Sequence, residues 1–595
     1  MATETTLART ATAELRAAER WAWMRRVDWP VTLLLLLGVA LRLGLAARGW
    51  PGLDSDEATI GLMGKHILDS GELPIFFYGQ HYMGPLEAYL AAGAFALLGV
   101  GAFALRVAMV ALTTGFLVCA YLLGRLAFGR AVGLLTLGFL ALGPAFGLLR
   151  ELAAIGGYQE TLLFGALIPL LAYALIRPAS DLTGGSSWWR HGNRLPLYGL
   201  LGLTIGLGVW SDALILPFVV APLCALAIAR WRETRGRGGL TLLAGAVIGG
   251  FPFIAYNLTH HLQSVTEAGG RTVAAGGGLL PPLGTWLHQA LATFTVAMPV
   301  TYGDPHVCLD TGLPVRDFTS YPASLLRFGT DASCAGSNLA FSTLIVGLYA
   351  LVGWRAVAAL RASRHDGEVV AAESSVDRAA LWLRVMLVGA ALLTVAQYTF
   401  NRLDVGIFEF DSVRYLLPLL ITVPILMGAL WSLVGRGARG WPFVTGGAWW
   451  RRALRAGAWA TLAALFAFAL LGVGATLRTA SDASVYAPSS APPEARILGE
   501  LRRLGVTRYY GDWVVCNLLT FESDERVICA MSSPGPGDYA PYHSAVGSAA
   551  RPGYVVVIGG PTDLMLSQRL QSGRLPRGYT REEFAGLAIY YFALQ

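Results

Sequence analysis

The chain has 595 residues, of which 55% are hydrophobic and only 14% are charged. Soluble domains average about 25% charged residues, so this composition excludes a soluble multidomain protein. The net charge of +7 does not indicate a nucleic-acid partner, because the arginines stand at the ends of apolar segments, where they act as signals of membrane topology. The composition predicts an α-helical polytopic membrane protein.

The N-terminal segment, residues 1–29, is polar and rich in arginine, and no small-residue cleavage site follows the first apolar run. We therefore expect residues 1–29 to stay in the cytoplasm and the first span, Val31–Ala47, to remain as a membrane anchor. Arg42 lies within this span, where it is costly unless its side chain reaches the interface or finds a partner.

About eleven apolar segments approach the roughly 20 residues that a spanning helix needs. The candidate spans are 31–47, 103–123, 131–149, 160–176, 197–212, 213–229, 239–258, 338–354, 380–399, 414–434 and 456–475. With the N-terminus inside, every short arginine-rich loop falls on the cytoplasmic side, as the positive-inside rule requires. This pattern predicts a multi-pass protein of a bacterial plasma membrane.

One further segment, Pro85–Val100, is also apolar enough to be counted as a span. Counting it would reverse all later loops and place their arginines outside, so we interpret it as an amphipathic or re-entrant helix at the outer membrane surface. The predicted membrane domain then covers residues 30–475. Its substantial outer loops are 48–102, 259–337 and 400–413.

The C-terminal region, residues 476–595, follows an Ala/Pro/Ser linker and has the composition of a folded domain. Apolar residues at helical spacing between Ile497 and Leu504 predict a helix, and three strand-like runs follow at Thr507–Tyr510, Val527–Ala530 and Tyr554–Ile558. We expect a small α/β domain on the extracytoplasmic side.

The six cysteines are distributed in agreement with this topology. Cys119 and Cys224 lie inside predicted spans, where a buried free thiol is the ordinary interpretation. The pairs Cys308/Cys334 and Cys516/Cys529 lie in outer regions, where an oxidising compartment permits disulfides. We therefore predict two disulfide bonds.

The first outer loop opens with three carboxylates, Asp54, Asp56 and Glu57, within four residues. Such a cluster can be a solvated helix N-terminus, where acidic residues favour the helix dipole. It can also be a site in which a cation or a basic partner compensates the repulsion, or in which one pKa rises. Turn residues, aromatic side chains and further polar groups in the same loop favour a site for a polar headgroup beside lipid; these groups include Lys65, His81 and Tyr82.

Several cations lie on the predicted outer side, where they could bind a phosphate. They are Lys65, His81, Arg150, Arg402 and Arg414. The charged segment 401–414 that contains Arg402 and Arg414 fits either a phosphate clamp or a structural ion-pair cluster. Glu160 fits a cap of the next helix, and Asp212 fits either a site residue or an interfacial polar group.

The motifs DSDEA (54–58), GELP (71–74), Gly-Pro-Leu (84–86) and FALR (103–106) follow the first span in this order. Together they resemble the glycosyltransferase-C (GT-C) superfamily, in particular the branch with the protein O-mannosyltransferases and the aminoarabinose transferase of lipid A. The resemblance covers residues 30–260, with a weaker RYLLP-type element at 414–418. It implies a GT-C-like membrane fold and a polyprenyl-phosphate sugar as donor.

The resemblance also implies roles for the acidic residues. Asp56 matches the proposed catalytic base, Glu57 is its neighbour, and Asp54 completes a DxD motif of the kind found in the oligosaccharyltransferase relatives. The resemblance leaves room for a divalent cation, Mg²⁺ or Mn²⁺, held by Asp54, Asp56 and Glu160, since Glu160 matches a second acidic element that helps to bind a metal in oligosaccharyltransferases. One departure is that Met83-Gly84 stands where aminoarabinose transferases carry a lysine before the Pro-Pro-Leu element, so the phosphate contact must come from elsewhere.

These observations predict an inverting glycosyltransferase that moves a sugar from a lipid carrier to an acceptor hydroxyl on a protein, lipid or glycan. A secondary transporter is the first alternative, although the ionisable residues cluster outside the spans rather than at mid-membrane. A catalytically silent relative that recruits envelope proteins through its C-terminal domain is the second.

Overall fold

The structure is a computed structural model. It describes residues 28–177, 194–267, 283–304, 306–308, 315–316, 327–329, 332–365, 374–400, 408–434, 448–481, 493–576 and 578–593. The predicted cytoplasmic segment 1–29 therefore lies almost entirely outside the described residues.

The membrane part is a helical bundle. Its helices are α1 (Trp29–Ala47), α2 (Ser55–Ser70), α3 (Leu86–Leu98), α4 (Ala102–Phe128), α5 (Arg130–Leu142), α6 (Ala145–Leu152), α7 (Tyr158–Ile176), α8 (Leu195–Ser211), α9 (Leu216–Ala229), α10 (Arg237–Gly249), α11 (Phe251–Thr259), α12 (Leu283–Ala292), α13 (Ala332–His365), α14 (Ser374–Phe400), α15 (Val423–Val434) and α16 (Ala448–Ser481). Short helical segments at Ala213–Ile215, Trp231–Arg235, Thr293–Ala297 and Met298–Thr301 and a long 3-10 helix at Phe410–Thr422 complete it.

Among the described residues, seven helices are long and apolar enough to cross a bilayer, or up to nine if each of two bent helix pairs counts as one span. Two further predicted spans correspond to shorter apolar helices, Leu195–Ser211 and Ala213–Ala229. The polytopic helical class is thus confirmed, whereas the number of eleven spans stays a prediction. Helix α3, with 13 residues, is about 20 Å long, which is too short for the roughly 30 Å hydrocarbon core.

Two predicted spans are bent pairs of helices rather than straight rods. Helices α5 and α6 meet at 70° and α10 and α11 at 72°. The first bend lies at Gly143-Pro144, where Gly143 has a left-handed φ of 76° and a proline removes a backbone donor. The bend turns α6, and with it Arg150, away from the axis of α5.

The predicted outer loop 259–337 contains a buried helical stretch that the sequence analysis missed. Helix α12 continues through a π-helical turn, Thr293–Ala297, into the turn Met298–Thr301. Threonines lower the hydropathy of this stretch, but the hydroxyls of Thr293 and Thr295 donate back to carbonyl oxygens four residues earlier, at 2.7 and 2.8 Å. Their polarity is thereby satisfied within the helix.

Arg42 of the first span finds the partner that its position requires. Its Nε donates to Glu151 Oε2 of α6 at 2.9 Å, and its guanidinium also donates to the carbonyl oxygens of Leu140 and Ala141 at 2.9 Å. Both side chains of the pair are fully buried. The pair joins α1 to the bent α5–α6 unit.

The C-terminal region folds as a small α/β unit. Its helices are α17 (Pro493–Arg503), α18 (Trp513–Glu522), α19 (Ala540–Gly547) and α20 (Pro561–Gln571). Four short strands lie in the predicted outer loops: β1 (His306–Cys308), β2 (Val315–Arg316), β3 (Arg327–Gly329) and β4 (Phe408–Glu409). The C-terminal unit contributes β5 (Arg508–Gly511), β6 (Ile528–Met531), β7 (Gly553–Val557), β8 (Tyr579–Phe584) and β9 (Leu587–Phe592). The five-stranded sheet has the order β6-β5-β7-β9-β8.

Strands β5, β6 and β7 are mutually parallel, whereas β9 pairs antiparallel with β7 and β8. The predicted helix and three strands are confirmed to within a residue or so at most ends. The disulfide Cys516–Cys529 is also confirmed. Cys334 is disulfide-bonded, while the side chain of Cys308 lies outside the described residues.

Candidate active site

The acidic motif forms the first turn of α2. Asp54 is the N-cap, and its Oδ1 accepts a hydrogen bond from the Glu57 backbone N–H at 2.7 Å. An aspartate at this position satisfies one of the free amide groups of the helix start. The helix ends at Gly71, which has the left-handed φ of 69° that favours glycine. The motif is therefore a helix N-terminus as well as a candidate site.

Two arginines from distant parts of the chain meet beside this turn. Asp411 forms ion pairs with Arg150 of α6 and with Arg414, the latter at 2.6 Å between Nη1 and Oδ2. Both arginines are close enough to Asp54 and Asp56 to interact with their charges. The structure thus assembles three carboxylates and two guanidinium groups at the end of the bundle where α2 begins.

The two carboxylates differ from ordinary surface aspartates although solvent reaches both. Desolvation by the surrounding protein, reinforced by the neighbouring Asp54, raises the pKa of Asp56 to about 7 against the attraction of Arg414. Desolvation also raises the pKa of Asp54. Since Asp54 is exposed and Asp56 partly exposed, a ligand can reach both carboxylates. A carboxylate with a pKa near neutrality is suited to proton transfer.

Glu57 occupies a different environment from its two neighbours. Its two carboxylate oxygens accept hydrogen bonds from Nε and Nη2 of Arg106, both at 2.8 Å, and both side chains are fully buried. Burial raises the pKa of Glu57, and Arg106 opposes this shift. The bidentate pair gives Glu57 a structural role in fastening α2 to α4, whereas its predicted catalytic role has no contact that supports it.

Glu160 lies in a second, acidic group rather than beside Asp54 and Asp56. It is adjacent to Glu87 of α3, which accepts a hydrogen bond from the Gly156 N–H at 2.9 Å. Burial, followed by the charge of Glu160, raises the pKa of Glu87 well above its usual range. Asp212 is nearby, and its Oδ1 caps the following turn through the Leu214 N–H at 2.8 Å.

The predicted metal site is not assembled in this arrangement. Within the described part of the chain, no group of three or more His, Cys, Asp or Glu side chains is placed to hold a metal ion. The cations whose charges act on Asp54 and Asp56 are instead the guanidinium groups of Arg150 and Arg414. The residues therefore do not fit the expected Mg²⁺ or Mn²⁺ site of Asp54, Asp56 and Glu160.

Two of the other predicted phosphate ligands, Lys65 and His81, form ion pairs with other partners. Lys65 pairs with Asp524 and Glu525 of the C-terminal domain, each at 2.7 Å, nine residues or about 13 Å along α2 from Asp56. His81 binds Glu267 at 2.9 Å. Tyr82, next to His81, is partly buried, and Arg402 lies outside the described residues.

Two residues of this region were not singled out from the sequence. Asp411 was recognised only as one charge among several, and Arg106 only as a letter in the FALR motif. The sequence could have identified Arg106, because an arginine inside an apolar span requires a buried partner. Asp411 had no such signal, since its contact with Arg150 joins positions that lie 261 residues apart.

Comparison with known proteins shows a likeness in fold. No family model and no curated protein matches the sequence. Among solved structures, ArnT from Cupriavidus metallidurans bound to undecaprenyl phosphate matches with a TM-score of 0.55 and 12% identity, over 96% of this chain and 99% of that one. The apo form of the same protein matches with a TM-score of 0.53 and 13% identity, over 97% and 98% of the two chains.

An archaeal oligosaccharyltransferase, AglB from Archaeoglobus fulgidus, aligns more loosely, with a TM-score of 0.41 and 12% identity over 95% of this chain and 74% of that one. The two ArnT structures cover both the bundle and the C-terminal domain. The chain therefore has the fold of these ArnT structures, in agreement with the GT-C-like fold that its motifs predicted.

Proposed function

We propose that the chain is an inverting glycosyltransferase that takes a sugar from a polyprenyl-phosphate carrier and transfers it to an acceptor hydroxyl. The observation that carries this proposal is the solvent-accessible cluster in which Asp56 lies beside Arg150 and Arg414. It combines a carboxylate whose pKa suits proton transfer with two cations that suit a phosphate. The ArnT relative in fold, which is bound to undecaprenyl phosphate, supports the choice of carrier.

In the proposed reaction, Asp56 accepts the proton of the acceptor hydroxyl as its oxygen attacks the anomeric carbon. The bond between that carbon and the phosphate oxygen breaks on the opposite face, so the configuration inverts. The leaving polyprenyl phosphate takes the bonding electrons, and Arg150 and Arg414 stabilise its growing negative charge. No step requires a metal ion.

Asp411 has a defined place in this scheme. Its carboxylate already binds both arginines, so it holds two guanidinium groups where an incoming phosphate can share them. Without such an anion, two neighbouring cations would repel each other and separate. Asp411 therefore preorganises the two guanidinium groups for the phosphate before the donor binds.

The acidic limb of the pH profile should report on Asp56. With a pKa of about 7, the base is half protonated at that pH, and only its ionised form can accept a proton. We expect kcat to rise about tenfold per pH unit below neutrality and to level off above it. Initial rates between pH 5 and 9 at saturating donor would show this limb; a rate already constant at pH 5 would contradict the assignment.

Replacing Arg414 should weaken donor binding. In Arg414→Gln the phosphate loses a charge-assisted hydrogen bond worth about 1.5–3 kcal/mol, which corresponds to roughly 10- to 150-fold in Kd. Titration with undecaprenyl phosphate measures this loss. Lys65→Gln is the matched comparison, because its ion pairs lie with the C-terminal domain, and it should leave the affinity unchanged.

The reaction itself is tested by incubating the purified protein in lipid nanodiscs with a panel of radiolabelled polyprenyl-phosphate sugars. Release of sugar to water or to an added acceptor supports the proposal, and the donor that reacts identifies the sugar. Binding of undecaprenyl phosphate without turnover of any donor in the presence of membrane extracts would favour the silent relative. Uptake of a free solute into vesicles without transfer would favour the transporter.

We further propose that the cluster and the C-terminal domain face the outside of a bacterial plasma membrane, with the N-terminus in the cytoplasm. The arrangement of loops supports this orientation. Asp54, Arg150 and Arg414, which the charge pattern places on one side, meet at one end of the bundle. Accessibility of cysteines introduced at exposed positions to a membrane-impermeant reagent in whole cells would measure the orientation.

A further inference from the structure

The residue between the two aspartates is held by the C-terminal domain. Ser55 stands between Asp54 and Asp56 and is nearly completely buried. Its Oγ donates to the carbonyl oxygen of Trp513, the first residue of α18, at 2.7 Å. This bond joins the start of the acidic helix to the start of a helix more than 450 residues later in the chain.

A second hydrogen-bond chain reaches the same serine through its carbonyl group. Thr59 Oγ1 donates to the carbonyl oxygen of Ser55 at 2.7 Å. Asn517 of α18, with 2% of its surface exposed, donates to Thr59 Oγ1 at 2.8 Å and to the carbonyl oxygen of Gly537 at 2.7 Å. Ser55 is therefore fixed on its side chain and on its backbone by groups that depend on one helix of the C-terminal domain.

The groups that provide these bonds are themselves well fixed. Residue 516, next to Asn517, forms the disulfide with Cys529 of β6. The ring of Phe521 lies so close to Gly61 that a Cβ there would come within 2.5 Å of it. Gly537 has a left-handed φ of 83°, and a Cβ at that position would lie 2.8 Å from Asn517 Nδ2. Close packing on both sides thus leaves α18 and α2 little freedom to shift.

We propose that Asn517 is a positioning residue for the reaction: through Thr59 and Ser55 it fixes the first turn of α2 and hence the directions of the Asp54 and Asp56 carboxylates. The inference rests on the proposed function. Misplacement of a reacting group by about 1 Å can cost 100-fold in rate. A contact in a separate domain can therefore control catalysis without contacting the substrate.

The test compares substitutions that keep shape but remove single hydrogen bonds. Asn517→Leu and Thr59→Val should lower kcat about 10- to 100-fold, leave the KM for the donor unchanged and move the acidic limb of the pH profile. Thr59→Ser, which keeps the hydroxyl, should retain the wild-type rate. Tyr539→Phe removes a bond to Glu72 at the same domain interface without touching Ser55, and should also retain it.

Two results would overturn the proposal. One is a wild-type kcat and pH profile in folded Asn517→Leu and Thr59→Val; the other is an equal loss of rate in Tyr539→Phe, which would indicate a general effect of the interface.

If wild type transfers no sugar from any donor, the proposed function fails separately. Hydrogen exchange then tests the positioning role of Asn517 without turnover. The backbone amides of Glu57 and Ala58 donate hydrogen bonds to Asp54, so they should exchange faster in Asn517→Leu than in Tyr539→Phe. Equal exchange would again overturn the proposal.

Discussion

Asp56→Asn is expected to lower kcat by about 10²–10⁴-fold, the range that general-base catalysis usually contributes. The carboxamide has nearly the same shape as the carboxylate but cannot accept the proton at neutral pH. Affinity for undecaprenyl phosphate should stay the same or rise, because the substitution removes a negative charge beside the phosphate site. Single-turnover transfer and a binding titration on the same preparation separate the two effects.

The matched control for this variant lies on the same helix. Asp69→Asn makes the identical chemical change at an exposed position near the other end of α2, and it should leave both kcat and donor affinity at the wild-type value. Equal transfer by Asp56→Asn and wild type would remove Asp56 from the mechanism. The carboxylate of Asp54, its solvent-accessible neighbour in the acidic motif, would then be the remaining candidate base.

Arg106→Leu is expected to reduce the free energy of unfolding by about 3–5 kcal/mol, because it leaves Glu57 buried without its bidentate partner. The double variant Glu57→Leu/Arg106→Leu should recover most of this loss, since two apolar side chains carry no uncompensated charge. Thermal denaturation in detergent measures both. Arg451→Leu, at an exposed arginine near the start of α16, provides the control for removing an arginine.

The same series decides the role of Glu57. If the pair is structural, Glu57→Gln lowers stability while the folded fraction turns over at close to the wild-type rate. If the turnover rate of Glu57→Gln instead falls by about two orders of magnitude or more while its stability is unchanged, Glu57 has the catalytic role that the motif implied. The Arg106 contact at 2.8 Å to both oxygens is the reason to expect the first result.

The membrane class and most helices could be predicted from the sequence because each span carries its signal locally. Hydropathy locates α4 or α14 without reference to any other element, and arginine placement then orders the loops. The same locality explains the errors. A Gly-Pro pair broke the segment 131–149 into α5 and α6, although its overall hydropathy resembles that of a straight helix.

The candidate site was predictable only in part. The three carboxylates at 54–57 predicted a site only together with the polar and aromatic groups of the same loop, and Arg150 and Arg414 were predicted to be outer cations. Their convergence on Asp411 depends on the packing of α6 against the 3-10 helix Phe410–Thr422 and on no local pattern. No local pattern shows the partners of Lys65 either, because Asp524 and Glu525 belong to a domain that follows some 450 residues later. Lys65 was therefore predicted to be a phosphate ligand.

The ion pair between Arg42 and Glu151 also has a consequence for biogenesis. The first span leaves the ribosome 109 residues before its carboxylate partner, and at about 5–20 residues per second this gap lasts roughly 5–20 s. During that time the Gly38 carbonyl oxygen is the partner that α1 itself offers to Arg42, and water, lipid headgroups or the insertion machinery must solvate the rest of its charge. The first span therefore reaches its final place only after α6 is made, and the order of synthesis delays closure of the bundle around it.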